Sequence, residues 1–353
     1  MSSTATSATT HEVSIQPSGR TFSVAPHETI LAAAIRQGIG LPYGCKDGAC
    51  GSCKCQKLSG DIEQGPHQDK ALSAEEQTQG KILPCCAVPL SDVVIESRQV
   101  SAEGAHPIRK MPVRISALER LAPDVMRLTL QKPASEAMLF HAGQYIEFLL
   151  RDGLRRSYSM ANAPHTLGEG AGLELHIRHM PGGVFTDKVF SELKERDILR
   201  IEGPFGSFYL RQDSEKPLIF LASGTGFAPI KAILEQMQHQ ADTRAVTLYW
   251  GGRRPHDLYL NDWVLEQAQR MPNLRYVPVV SDALSEDKWS GRRGFVHRAV
   301  LEDFPDLSGH QVYACGAPIV VESARADYAR AHLNADDFFA DAFISEADKL
   351  LQS

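Results

Sequence analysis

Residues 41–55 read LPYGCKDGACGSCKC and residues 81–90 read KILPCCAVPL. These two stretches hold Cys45, Cys50, Cys53, Cys55, Cys85 and Cys86, leaving Cys315 as the one thiol elsewhere. A chain of 353 residues that is 43% hydrophobic buries enough core to fold without cross-links. Thiols crowded into one segment of such a chain point to metal rather than to disulfides. The spacing narrows the chemistry. Cys45-x4-Cys50-x2-Cys53, with a further thiol after 31 intervening residues, is the ligand spacing of a [2Fe–2S] centre. Three thiolates from one short loop must wrap one side of a small cluster. Gly48 and Gly51 let the backbone turn sharply there and bring N–H groups to the anionic sulfurs. The fourth ligand is Cys85 or Cys86. Cys55 lies in an expected strand and reads as a small buried hydrophobe. Zinc is the competing reading, but zinc favours paired C-x2-C knuckles, and only one such pair precedes Cys85.

Outward from the cysteines, the segment has the pattern of a β-grasp fold. Val13–Gln16 and Thr21–Val24 alternate around a Pro-Ser-Gly turn and predict a hairpin. ETILAAAIRQG places Ile30, Leu31, Ala34 and Ile35 on one helical face and stops at Gly38. Val93–Glu96 predicts a closing strand. Residues 11–97 resemble a plant-type ferredoxin, and that pattern favours Cys85 as the fourth ligand because it lies four residues before Pro89. Cys86 then becomes a packing residue. The segment carries 10 acidic against 7 basic residues, so it presents only a mild negative charge. Before it, MSSTATSATT (residues 1–10) is expected to be a disordered tail and not a secretory signal, with the cytoplasm as the expected location.

Residues 98–110, RQVSAEGAHPIRK, have the composition of a linker. Beyond them come many short alternating strands, which predict an antiparallel barrel over residues 111–211. In RSYS (156–159), Arg156 and Tyr158 share one face of a strand. An arginine fork suits a pyrophosphate, and a tyrosine ring suits a flavin plane. Gly182-Gly183-Val184-Phe185-Thr186 precedes an expected helix over 186–194, which together suggest a phosphate cradle.

Residues 212–353 alternate strands with helices and predict a doubly wound parallel sheet. The apolar run Leu218–Ser223 leads into Gly224-Thr225-Gly226 and then a helix with Pro229 in its first turn. Gly224, Gly251, Ser281 and Cys315 all fall at carboxyl ends of expected strands, where such sheets bind ligands.

In order, RSYS, GGVFT, GPFG (203–206) and the Gly-Thr-Gly turn resemble the ferredoxin–NADP⁺ reductase superfamily. The whole is thus a multidomain α+β and α/β chain: β-grasp ferredoxin, antiparallel FAD barrel and parallel-sheet NAD domain. The resemblance implies that Arg156 binds the FAD pyrophosphate and Tyr158 packs on the flavin. It also implies that Ser157 lines that site, that Ser159 hydrogen-bonds near the flavin's reactive nitrogen, and that Gly183 to Thr186 offer N–H groups. Cys315-Gly316-Ala317-Pro318 matches the superfamily's Cys-Gly-x-Pro motif, which places Cys315 beside the nicotinamide. Asp282, where NADP-preferring relatives carry Arg, implies NADH. Phe343, after Asp341, implies an aromatic close to the flavin. The implied activity is passage of electrons from NADH to FAD to [2Fe–2S] to a partner protein. Reductase components of oxygenases share this domain order. YGCKDGACGSCK and LPCCAVP also resemble CDP-6-deoxy-Δ3,4-glucoseen reductases, whose acceptor is a pyridoxamine-phosphate dehydratase. A non-catalytic iron–sulfur redox sensor is the reading of a different class, and the intact glycine turns count against it.

A net charge of -6 lacks the basic footprint of a nucleic-acid binder. No run approaches the roughly 20 apolar residues of a membrane helix. The thirteen histidines form no ligand pair. His176 and His179 lie near the expected flavin loop and are expected to be hydrogen-bonded at the surface.

Overall fold

The computed structural model describes residues 9–100, 106–168 and 170–344. Most of the expected tail, the middle of the expected linker (101–105) and residues 345–353 lie outside them. The chain divides into two compact units, with the break between His106 and Pro107.

In the first unit, Val13 and Ile15 point inward and are fully buried, while Glu12 and Ser14 alternate outward. The strand His11–Gln16 pairs antiparallel with Arg20–Val24, Val13 opposite Phe22. Gly19 closes the turn at φ +69°, a conformation that side chains resist. His11–Gln16 also pairs parallel with Val93–Glu96, the strand predicted residue for residue. Cys55–Ser59 and Lys81–Ile82 complete a five-stranded mixed sheet. The helix Ile30–Arg36 is capped by the Thr29 hydroxyl, which accepts from the Ala32 N–H at 3.2 Å. It buries Ile30, Leu31, Ala33 and Ala34 on the sheet. Ile35, expected on that face, is half-buried, and Ala33 takes its place. This is a β-grasp fold.

The second unit holds two sheets. In the first, six antiparallel strands run in the order Arg155–Ser159, Tyr145–Leu149, Ile198–Phe205, Arg109–Ala122, Val125–Gln131 and Leu173–Arg178. The bridge Met160 to Leu175 joins the two ends and closes a barrel. Its interior is apolar, with Ile115, Leu128, Ile146, Phe148, Leu175 and Ile201 buried. The first strand starts at Arg109, two residues inside the stretch read as linker. The helix after GGVFT spans Thr186–Ser191, shorter than expected.

The second sheet is parallel, in the order Arg292–Arg293, Leu274–Val280, Val246–Gly252, Leu218–Ser223, Gln311–Gly316 and Phe338–Ala342. The chain starts in the middle, builds to one side, then crosses back to Gln311–Gly316. That reversal beside Leu218–Ser223 is the switch point at which such sheets open a ligand crevice. Phe220 and Tyr313 meet edge to face at 5.7 Å inside this sheet's core.

Replacing a fully buried aromatic leaves a cavity, and Phe220→Ala is expected to cost about 3–5 kcal/mol. The measurement is the urea midpoint of tryptophan fluorescence, since Trp250, Trp263 and Trp289 all belong to this lobe or pack on its core. Ile198→Ala, at a position 65% exposed, is expected to change stability by no more than about 0.5 kcal/mol.

Candidate functional site

The cysteine loop folds around its own sulfurs. The Cys45 N–H donates to Cys50 Sγ at 3.3 Å, the Cys50 N–H donates to Cys45 Sγ at 3.3 Å, and the Ser52 N–H donates to Cys50 Sγ at 3.4 Å. The Cys45 thiol's hydrogen bond, helped by Ser52 and the Cys45 N–H, outweighs burial and pulls the Cys50 thiol below its ordinary value. Cys53 Sγ lies 3.4 Å from Cys85 Sγ. The four thiols therefore stand as two pairs, Cys45 with Cys50 and Cys53 with Cys85. Two pairs of thiols are what two irons sharing bridging sulfides require, so these residues fit a [2Fe–2S] cluster. Cys53 and Cys85 are buried. Cys86 Sγ is 3.6 Å from Cys85 Sγ and packs where a side chain on Gly48, at φ +77°, would lie. Cys55 is half-buried, not fully buried as expected, and burial pushes its thiol up to about 12.

In the barrel, RSYS occupies the strand Arg155–Ser159. Arg156 and Tyr158 are half-buried on one face, while Ser157 is exposed and Ser159 buried on the other. Tyr158 leans on Phe148 and Phe185, at 5.8 and 5.5 Å between ring centres. Burial pushes its phenol up, with Arg156 pulling the other way. The GGVFT loop is held from within. Thr186 Oγ1 donates to the Met180 carbonyl at 2.9 Å and accepts the Met180 N–H at 3.2 Å, and the Gly182 N–H donates to Asp187 at 3.1 Å. The Gly183 N–H also donates to the Met180 carbonyl at 2.8 Å. The expectation that Gly183 offers its N–H outward therefore needs revision. Of the expected donors, Val184, Phe185 and Thr186 remain, and Phe185 and Thr186 stand at the start of the helix, where N–H groups lack an intrahelical acceptor. A side chain on Gly183 would overlap Thr186 Oγ1, so this tight loop tolerates no Cβ there.

In the parallel sheet, Gly224–Gly226 forms a single tight turn between strand and helix. Gly224 sits at φ +53° with the Arg178 guanidinium against it. Its carbonyl accepts from Trp250 Nε1 at 3.1 Å. A Cβ on Gly226 would overlap the Cys315 carbonyl, so the turn and the end of Gln311–Gly316 meet backbone to backbone. Cys315 is 1% exposed, and burial pushes its thiol well up, which suits a neutral packing group. The Ala317 N–H donates to Ser223 Oγ at 2.8 Å, and the Phe343 N–H donates to the Gly316 carbonyl at 2.8 Å. Ser223, Thr225, Cys315, Gly316 and Phe343 are thus gathered at one end of the sheet. Asp282 is exposed beyond Leu274–Val280, its N–H bonded to the Arg253 carbonyl at 2.9 Å.

One group escaped the sequence reading. Glu174, His176 and Arg178 alternate with Leu173, Leu175 and Ile177, and such polar positions on a barrel strand read as solvent-facing. They face the parallel-sheet lobe instead. His176 is 4% exposed, so its expected surface role is overturned, whereas His179 does bond Asp187 at 2.8 Å with part of its ring exposed.

Comparison with known proteins agrees with this three-part layout. Residues 13–90 match the 2Fe-2S iron-sulfur cluster binding domain, 112–209 the oxidoreductase FAD-binding domain and 220–326 the oxidoreductase NAD-binding domain. The chain is 41% identical over 332 residues to the CDP-6-deoxy-L-threo-D-glycero-4-hexulose-3-dehydrase reductase of Yersinia pestis, covering 94% of this chain and 98% of that one. It is 36% identical to the phenol 2-monooxygenase reductase component DmpP of a Pseudomonas strain, covering 96% of each. The crystal structure of the Amycolatopsis cytochrome P450 reductase GcoB superposes with a TM-score of 0.75 at 34% identity, covering 94% of this chain and 98% of that one. With its three cofactor domains and these relatives, the chain belongs to the electron-transfer reductases that combine a [2Fe–2S] ferredoxin domain with FAD- and NAD-binding domains.

Proposed function

We propose that this reductase is specific for NADH and delivers electrons to a hexulose-3-dehydrase of the kind named in its Yersinia relatives. The observation behind the acceptor is the identity gap: 41% to those dehydrase reductases against 36% to the phenol 2-monooxygenase component and 37% to a terephthalate dioxygenase component. An oxygenase is the second reading, and the shared domain order supports it.

When bound, NADH supplies a hydride, FAD takes two electrons and releases them singly, and the cluster carries one at a time. The protein binds, orients and keeps water out. In our reading Cys45, Cys50, Cys53 and Cys85 hold the cluster. Arg156 neutralises the FAD pyrophosphate, with the Val184 and Thr186 N–H groups beside it and Gly182 and Gly183 forming the tight bend. Tyr158 covers the flavin ring, and Ser157 and Ser159 flank it. Gly224, Thr225 and Gly226 let the dinucleotide approach the helix start. Cys315 and Gly316 shape the nicotinamide pocket as neutral packing groups, and Phe343, bonded through its N–H to Gly316, stands as the aromatic close to the flavin. Asp282 accepts from a ribose hydroxyl and repels a 2′-phosphate. The domains in this reading are 11–97, a barrel that runs from Arg109 to residue 211, and the segment from 212 onward, with the linker from 98 joining only the first two.

Cofactor choice rests on Asp282. We expect kcat/KM for NADH to exceed that for NADPH by at least about tenfold, which needs only about 1.4 kcal/mol of repulsion. Asp282→Arg narrows the ratio by raising the NADPH value. A wild type that uses both equally would refute the assignment. For the cluster, Cys85→Ala is expected to lose the [2Fe–2S] absorption while Cys86→Ala retains it, and the reverse result would exchange their roles. For the acceptor, NADH-driven turnover of a purified hexulose-3-dehydrase should outrun that of a phenol hydroxylase component. Support of the oxygenase alone would favour the second reading.

A further inference from the structure

The outward face of the barrel strand Leu173–Arg178 is tied to the parallel-sheet lobe at each polar position. Glu174 Oε1 accepts from His176 Nε2 at 2.7 Å and lies 3.3 Å from Lys231 Nζ. Lys231, 4% exposed, donates to Glu235 at 2.6 Å and to the Ala161 carbonyl at 3.0 Å. Glu235 accepts the Ala163 N–H at 2.9 Å. Lys231 and Glu235 stand on Phe227–His239, the helix that starts at the Gly224–Gly226 turn. Burial disfavours a charged Glu174, but the His176 hydrogen bond and the Lys231 charge bring it down to about 2. A carboxylate has no proton to give, so His176 Nε2 carries the hydrogen. Burial lowers the His176 pKa against the pull of Glu174, a direction that favours the neutral ring. Its Nδ1 is then an acceptor, and the Tyr259 hydroxyl donates to it at 2.9 Å.

From Tyr259 the contacts run on to the turn itself. The Tyr259 ring meets Trp250 edge to face at 5.2 Å, Trp250 stacks on Phe227 at 3.9 Å, and Trp250 Nε1 holds the Gly224 carbonyl. Arg178 adds a second tie. It bonds buried Asp257 at 3.2 Å, lies 3.1 Å from Asp124 of the barrel, and stands where a Cβ on Gly224 would fall. Asp257 in turn accepts the Arg253 and Arg254 N–H groups at 2.8 and 2.9 Å.

We infer that Glu174, His176 and Tyr259, with Lys231, form a latch that fixes the Gly224–Gly226 turn relative to the flavin barrel, making His176 and Tyr259 positioning residues for hydride transfer. The inference rests on the reading above, in which that turn carries NADH and the barrel carries FAD. With the ring neutral, each hydrogen bond in the chain has one allowed direction, so the latch has one arrangement. Hydride transfer is sensitive to placement: a shift of about 1 Å can cost about 100-fold in rate. Binding of the nucleotide to the turn does not depend on the barrel in this way, so rate and affinity should separate.

The test is stopped-flow reduction of the FAD-loaded protein by NADH. Tyr259→Phe removes one hydroxyl and keeps the aromatic stack, so it tests the latch without emptying the core. His176→Leu breaks both bonds of the ring, and His176→Gln restores the donor to Glu174. The latch predicts that Tyr259→Phe and His176→Leu lower the limiting rate of flavin reduction about tenfold or more. NADH affinity should stay within about twofold and FAD content at the wild-type level, with His176→Gln recovering part of the rate. Wild-type rates in a fully FAD-loaded Tyr259→Phe protein would overturn the latch, as would a loss confined to NADH affinity. A wild-type protein whose flavin NADH cannot reduce would instead overturn the function on which the inference rests.

Discussion

A side chain on Gly226 would overlap the Cys315 carbonyl, and one on Gly316 would overlap Ser223. The end of Leu218–Ser223 and the turn after it therefore pack on the end of Gln311–Gly316 too closely to admit a side chain on either glycine. That contact is the constraint on the second unit. It needs glycine on both sides, and it lies at the switch point of the sheet, where such folds bind ligands. It also places a buried thiol, a serine hydroxyl and the start of a 13-residue helix around one small space. The barrel serves the same end from the other side. Its strand Leu173–Arg178 uses its apolar face for the barrel core and its polar face to hold the helix and turn that carry the crevice.

The ferredoxin unit solves a different problem with the same means. Four thiols must be brought together as two pairs while their charge is satisfied by donors that water need not supply. The loop does this by turning back on itself, so that the N–H groups of Cys45, Cys50 and Ser52 reach sulfur. Cys85 arrives from the far stretch beside Cys53, on the buried side of the loop. Cys86 stands just outside the pair and fills the space left by Gly48.

Much of this was legible in one dimension because it is local. Cysteine spacing, the Gly-Thr-Gly turn after an apolar run, and the strands Val93–Glu96 and Leu218–Ser223 are set by neighbours within a few residues. The features that were misjudged depend on distant partners. His176 was expected at the surface because alternation along a strand cannot tell water from a second lobe, and its partner Tyr259 is 83 positions away. The resemblance implied that Gly183 offers its N–H, but its bond to Met180 depends on how this loop closes. Ile35 gave way to Ala33 on a helix too short for its pattern to fix the buried face.

The account's central claim is that one chain joins NADH, FAD and [2Fe–2S] in a single electron path. The most direct test is an anaerobic titration of the purified holoprotein with NADH, followed by visible absorption and low-temperature EPR. The account predicts that flavin and cluster bleach together and that a reduced [2Fe–2S] signal appears. Bleaching of the flavin with an EPR-silent, still oxidised cluster would contradict it.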